Sequence, residues 1–422
     1  MYKQYIKQAI QMLRENTLVS VISILGTALA IAAALVMVLV FQINAAGFAP
    51  ETSRDRFLYV WGTEVNPKSE NGNRNRGSMS AEVVKECFYT LRKPEAVAAY
   101  TKRKSPVSLP EKRYFKEYEI CYTDAGYWKI FDHRFVEGAP FSEADFLSSI
   151  PKVVLSKRMA SRLFGGEKAV GRQVVMDYVT YTVCGVVSDV PNPLMVSYFD
   201  ACVPYSCDGS LMRGNPGYGE NMVGDLSMIL LAPSTGDFGA VRSELEARIK
   251  QYNGGKVDYE LAFPAGALSQ LDSAMGSNAW TKVDWRTFMA GSGAILLFLL
   301  LVPALNLTGV IQSSVQKRKE EIGLRKAFGA TGSNLLAQIL SENLVQAVIG
   351  GLIGIPLAVF LLAAGKAFWL NPGIEITLPM LIQPGLFLSV LLFVFLLNLL
   401  SAGIPAWSTT RQPIVEALKG TE

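Results

Sequence analysis

The 422-residue chain has a single histidine, His133, and no second one to complete a metal site or a nucleophilic triad. Read from the sequence, with Asp132 beside it, His133 is a surface residue. No HExxH, no GxSxG and no paired-cysteine metal motif occurs. The one segment with phosphate-loop glycine spacing, "GEKAVGRQ" (Gly166 to Gln173), has Arg172 where lysine is needed and Gln173 where a Mg²⁺-binding hydroxyl is needed. These absences leave no catalytic residues, no metal site and no bound cofactor to assign. The five cysteines, Cys87, Cys121, Cys184, Cys202 and Cys207, are an odd number with no zinc spacing. They read as small apolar side chains, and any one disulfide among them is left unassigned.

Charge is also missing in a telling pattern. Half of the residues are apolar and the mean hydropathy is positive at +0.25. Four apolar stretches contain neither lysine nor arginine: Leu18 to Phe41, Phe288 to Ile311, Leu335 to Ala364 and Pro384 to Pro405. Each reaches the roughly 20 residues that a bilayer-crossing helix needs. The first is longer than the roughly 7–15 residues of a signal peptide core, so it reads as a retained span.

Basic residues concentrate in particular flanks. Lys3, Lys7 and Arg14 precede the first stretch, a cluster around Lys317 to Lys326 separates the second from the third, and Arg411 and Lys419 follow the fourth. By the positive-inside rule both termini and the second connection are cytoplasmic. The segment between the first two stretches is then external. It carries 29 basic and 29 acidic side chains, so the net charge of +4 reflects topology and not a nucleic-acid surface.

The expected order is an amphipathic cytoplasmic helix (residues 1–17), a first span (18–42), a large external α+β domain (43–287) and a second span (288–312). A cytoplasmic connection (313–334), a third span (335–365), a short external loop (366–383), a fourth span (384–408) and a cytoplasmic tail (409–422) follow.

Within the external segment, "PKVVLS" reads as a buried strand and "KRMASRLFGG" as a short helix ended by Gly165 and Gly166. "RQVVM" and "TYTVCGVVSDV" read as two strands around a turn. "FDACVPY", "LSMILLA" and "VDYELAF" are further strands, and "DFGAVRSELEARIKQY" is a helix with an apolar stripe at Phe238, Val241, Leu245 and Ile249. Polar "NPKSENGNRNRGS" (Asn66 to Ser78) reads as a loop, and "MSAEVVKECFYTLRK" as a helix. Strands mixed with helices, without regular βαβ alternation, predict an α+β fold.

Small residues recur every four positions at Gly26, Ala30 and Ala34 in the first span, and at Gly350 and Gly354 in the third. That spacing lets helix backbones approach closely, within one chain or between two copies.

The connection "KRKEEIGLRK" places seven charges in ten residues. At mid-bilayer they would cost on the order of 20 kcal/mol at about 3 kcal/mol each, so the segment lies in water or at the interface. It reads as a short helix with charges of both signs and the apolar anchors Ile322, Leu324, Ala327 and Phe328. Such a helix suits docking on another protein, since a purely lipid-facing one would be mainly basic.

"QKRKEEIGLRKAFGATGSNLLAQILSENLVQAVIGGLIG" resembles the hallmark segment of MacB/FtsX-type ABC transporter permeases. "PKVVLSKRMASRLFGGEKAVGRQVVMDYVTYTVCGVVSDVP" resembles that family's periplasmic core domain, "LRENTLVSVISILGTALAIAAAL" its first span and "PAWSTTRQPIVEALKG" its closing motif. The resemblance implies a four-span inner-membrane permease without an ATPase site of its own. Its partners are a cytoplasmic ABC ATPase that binds ATP and Mg²⁺, a second permease protomer (homodimer or paralogue heterodimer), membrane lipid and a periplasmic protein. It also implies that Lys319, Glu320, Glu321, Ile322, Gly323, Leu324, Arg325, Lys326, Ala327, Phe328, Gly329 and Ala330 form the coupling helix that docks the ATPase. Export or extraction of a lipid, lipoprotein, peptide or drug is the function implied. The alternative is a non-transporting regulator that activates an external partner such as a cell-wall hydrolase.

Overall fold

The computed structural model describes residues 17–45, 47–69, 72–110, 116–190, 196–215, 219–295, 297–298 and 332–365, with 385, 388 and 392. The chain divides into two compact units, one of Met1–Phe41 with Arg286–Glu422 and the other of Gln42–Trp285.

The second unit is an α+β domain. Its strands are β1 (Phe57–Val60), β2 (Thr63–Pro67), β3 (Asn75–Met79), β4 (Ala96–Ser108), β5 (Lys116–Thr123), β6 (Phe135–Gly138) and β7 (Lys152–Ser156). They continue with β8 (Gln173–Met176), β9 (Val179–Val187), β10 (Ala201–Pro204), β11 (Val223–Gly224), β12 (Ser227–Leu231), β13 (Tyr259–Ala262) and β14 (Leu268–Ser269). The larger sheet runs β14-β1-β12-β4-β5-β10-β7-β9-β6, with β8 paired to both β4 and β9. Because of β8, the strands β4, β5, β10, β7, β9 and β8 pair in a closed ring.

Period-2 alternation assigns the faces of that ring. Tyr118, Ile120, Tyr122, Val153, Leu155, Val174, Met176, Tyr181, Val183, Ala201 and Val203 all belong to the larger core, whereas the intervening Cys121, Val154 and Cys202 belong to a second, aromatic-rich core.

Local chemistry sets the connections. The side chain of Ser156 accepts from Met159 N and so caps the helix α2 (Lys157–Phe164), which ends at Gly165 with φ +66°. Met159 is fully buried and Phe164 nearly so. A left-handed residue at a helix end favours glycine, because a Cβ there meets the following carbonyl. The helix α3 (Phe238–Gly254) buries Val241 and Leu245, with Phe238 and Ile249 packed against the same core.

Two sequence expectations change. Asn66 to Ser78 is not simply a loop: β3 occupies Asn75–Met79 and pairs with β2. The strand is polar because its register partners are held by charge: Arg76 lies opposite Glu64, and its Nε donates to Glu64 at 2.6 Å. No apolar alternation marks it. The helix expected over "MSAEVVKECFYTLRK" is one turn, Ala81–Val83, that widens into a π-helical turn at Val84–Phe88. Val83, Val84 and Phe88 are nevertheless buried.

The second, four-stranded sheet has the order β11-β3-β2-β13. Its β13 edge is covered: the Asn253 amide donates to Leu261 O at 2.9 Å and accepts from Leu261 N at 2.8 Å. A side chain thereby satisfies backbone groups that would otherwise template another strand.

In the first unit, α1 (Thr17–Ala45, a helix that ends in the second unit) and α4 (Gly332–Ala364) are the long helices among the described residues. Ser20–Ile43 is the one helix there long and apolar enough to cross a membrane, and Val348–Ala364 is a shorter apolar one. Helical backbone is also present over 285–295. The amphipathic N-terminal segment, most of the second and fourth stretches and the whole of Lys319 to Ala330 lie outside the described residues.

Candidate functional site

The small residues of α4 meet α1 of the same chain. A Cβ on Gly350 would lie 2.9 Å from Thr27 Cγ2 and 3.4 Å from Ile24 O. One on Gly354 would lie 2.9 Å from Ala28 O and 3.0 Å from Ile31 Cβ. Both approaches are too close for any residue but glycine without a shift of the helices. Thr27, Ala28 and Ile31 are buried, as are Ala30 and Ala34, while Gly26 is half-buried. Dispersion and backbone proximity hold such a seam in lipid, where apolar burial gives no driving force. Gly354→Ile is expected to destabilise the chain by about 1–3 kcal/mol through overpacking. The check is the melting temperature of the detergent-solubilised chain; an unchanged value removes the seam as a stabilising contact.

Where α1 ends, a buried polar node begins. Glu51 has no exposed surface, and its Oε2 lies 2.9 Å from Arg54 Nε. Glu51 Oε1 accepts from Ser197 N at 3.1 Å, and Arg54 Nη1 donates to Ile43 O in the last turn of α1 at 3.4 Å. The pair thus ties the helix end to the segment that leads into β10. One residue beyond, Thr52 donates to Asp132. Nearby, Tyr59 of β1 donates to Gln270 at 2.7 Å.

His133 is half-buried and not the freely exposed residue that the sequence suggested. Its imidazole packs among Tyr127, Trp128, Phe131 and Phe199 at centroid distances of 5.1–6.2 Å, and both ring nitrogens are shielded from solvent without hydrogen bonds. Burial, with Lys102 adding to it, lowers its pKa to about 3. Asp124 shows the opposite case. Burial raises its carboxyl to about 6, although it accepts from Ala99 N at 2.8 Å, from Tyr127 N at 3.3 Å and from the Tyr89 hydroxyl.

The two groups pull stability in opposite directions below pH 7. Unfolded His133 takes up a proton near pH 6.5 that the folded state refuses, which costs about 2 kcal/mol by pH 5. Folded Asp124 binds a proton that the unfolded chain releases, which returns about 1 kcal/mol over the same range. The chain is therefore expected to lose about 1 kcal/mol between pH 7 and pH 5, and His133→Phe to gain about 1 kcal/mol. Denaturant midpoints at the two pH values check the reversal of sign.

Comparisons with known proteins match both units. Residues 20–248 fit the model of the MacB-like periplasmic core domain, and residues 293–414 that of the FtsX-like permease C-terminal region. The chain belongs to the MacB/FtsX-type ABC permease family. Permeases of this family are inner-membrane proteins. The pyoverdine export ATP-binding/permease protein PvdT of Pseudomonas syringae pv. syringae is 29% identical over 262 residues, covering 61% of this chain and 36% of that protein. The macrolide export ATP-binding/permease protein MacB of Wolinella succinogenes is 25% identical over 357 residues, covering 83% and 51%. The uncharacterized ABC transporter permease YknZ of Bacillus subtilis is 26% identical over 297 residues, covering 70% and 68%. The chain thus spans about half or less of the length of the two ATP-binding/permease relatives.

The structure brings Gly350 and Gly354 together with α1, while the coupling segment lies outside the described residues. Sequence reasoning missed the Glu51–Arg54 node. Its only signal was an acid and a base three residues apart, a spacing too common to single out.

Proposed function

We propose that this chain is the permease subunit of an ABC transporter that exports or extracts a lipid, lipoprotein, peptide or drug. The observation that carries the reading is the match of both units of the chain to the periplasmic and the permease models. ATP and Mg²⁺ bind an ATPase that lies outside the residues of this chain. Closure of two ATPase subunits pushes on the coupling helix, Lys319 to Ala330, of each of two permease protomers. The push travels along four membrane spans with both chain termini in the cytoplasm.

Two features support a mechanical relay. The α1–α4 seam is too close-fitting to slide without cost, so the two helices shift together. The Glu51–Arg54 node grips the last turn of α1 and delivers its displacement to the external domain. Work is then done outside the bilayer by moving that domain. Export fits the printed names of two relatives, one named for pyoverdine export and the other for macrolide export. The test is affinity capture of the tagged chain from native membranes. An ATP-binding subunit is expected in the eluate, and the captured complex is expected to hydrolyse ATP faster with its substrate present. Hydrolysis by the chain alone overturns the reading.

A further inference from the structure

Strands β5 and β10 run parallel, and Cys202 of β10 is the register partner of Cys121 of β5. Both are fully buried in the aromatic-rich core. No other two of the five cysteines are register partners among the described strands. Cys184 packs on the same core but donates to Val153 O at 3.4 Å, while Cys87 and Cys207 belong with the larger core. Adjacent strands lie about 4.8 Å apart, which is inside the Cα separation of roughly 4.4–6.8 Å that disulfides span.

We propose that Cys121 and Cys202 are a redox pair that closes to a reversible disulfide across the β5–β10 seam. In the reaction two S–H bonds break and one S–S bond forms. Two protons leave, and two electrons pass to the disulfide of an oxidant, which is cleaved to two thiols. The oxidant is a disulfide of the extracytoplasmic compartment, either a small molecule or a protein. A periplasmic location supplies such oxidants.

The geometry also makes the bond reducible. Bonded cysteines need their Cβ atoms about 3.8 Å apart, closer than lateral neighbours on parallel strands stand, so the bond pinches the seam. Strained disulfides have higher potentials and are the labile ones. Burial pushes the Cys202 thiol far up, so exchange requires the seam to open first. The position gives the bond its consequence. The β5–β10 pairing is one of the two links between β4–β5 and β10–β7–β9, the other being β8. A staple there locks the ring of strands, whereas the dithiol leaves it free to flex.

The inference shares with the proposed function only the external placement of the domain, and the experiment separates the two. Cells expressing the full chain are quenched in acid, free thiols are blocked under denaturing conditions, and peptides are mapped by mass spectrometry without reductant. In parallel, the purified full chain in detergent is held in oxidised glutathione at temperatures approaching its melting point. A peptide linking Cys121 to Cys202 is expected in both preparations, lost on adding dithiothreitol and absent from Cys202→Ser, but retained in Cys184→Ser. Absence of the link from both preparations, or linkage of Cys202 to another cysteine, overturns the inference. A link formed only with glutathione upholds the pair. It counts against the placement, which Tyr178→Cys tests separately: Tyr178 is fully exposed at the β8–β9 turn and is expected to react with a membrane-impermeant maleimide on intact spheroplasts.

Discussion

Ile322→Asp combined with Phe328→Asp is expected to remove the ATP-binding subunit from the captured complex while the permease still inserts in the membrane. With Leu324, the two side chains are the large apolar anchors of a segment otherwise made of charges, glycine and alanine. In protein interfaces a few buried anchors carry most of the energy, at about 2 kcal/mol or more each. Replacing both with carboxylates loses that burial and puts two charges against a desolvated surface. At about 4 kcal/mol combined, affinity falls on the order of 10³-fold, enough to empty an eluate at cellular concentrations. Changing a rim charge, as in Glu320→Gln, is expected to alter the salt dependence of capture far more than its yield. If the ATPase is still captured with the double variant, Lys319 to Ala330 is not the docking element.

The second large effect concerns the node at the end of α1. Glu51→Ala leaves the Arg54 guanidinium buried without its carboxylate, and Ser197 N without its acceptor. Removing one member of a buried ion pair costs about 3–5 kcal/mol, because the remaining charge is stranded away from water. That is a large share of the stability of an ordinary domain. The double replacement Glu51→Leu with Arg54→Met strands no charge and is expected to recover most of the loss. Stability alone does not distinguish a clamp from a packing contact. The distinguishing quantity is the coupling ratio, substrate-stimulated over basal ATPase activity in the assembled complex. The recovered double variant is expected to melt near the parent temperature yet show a reduced ratio, since apolar groups do not hold Ile43 O. A parent-like ratio in a stable double variant assigns the pair to stability only.

How far the fold was legible follows from the kind of interaction each element uses. β7 announces itself by a continuous apolar run, and α2, the β8–β9 pair and α3 by apolar side chains that recur at the period of their own backbone. β3 and the 13-residue β4 do not. β4 carries "TKRKS" in its middle, and besides its neighbour β5 it pairs with a strand over a hundred residues away, with Met228 opposite Ala99. The glycine spacing in α4 showed that something approaches closely, but not that Thr27, Ala28 and Ile31 do so. An environment assembled from remote segments leaves no local mark in a sequence. Three of the rings around His133, those of Tyr127, Trp128 and Phe131, stand within six residues of it, and only the fourth, Phe199, is far along the chain.

The closed circuit formed by β4, β5, β10, β7, β9 and β8 has a mechanical corollary. An open sheet under tension unzips from its outermost strand, one hydrogen bond after another. A hoop offers no such starting point, because every strand within it is bonded on both sides. Tension on any one strand of the hoop is therefore shared between two ladders of hydrogen bonds, and the ring resists peeling in a way that an edge strand such as β6 does not.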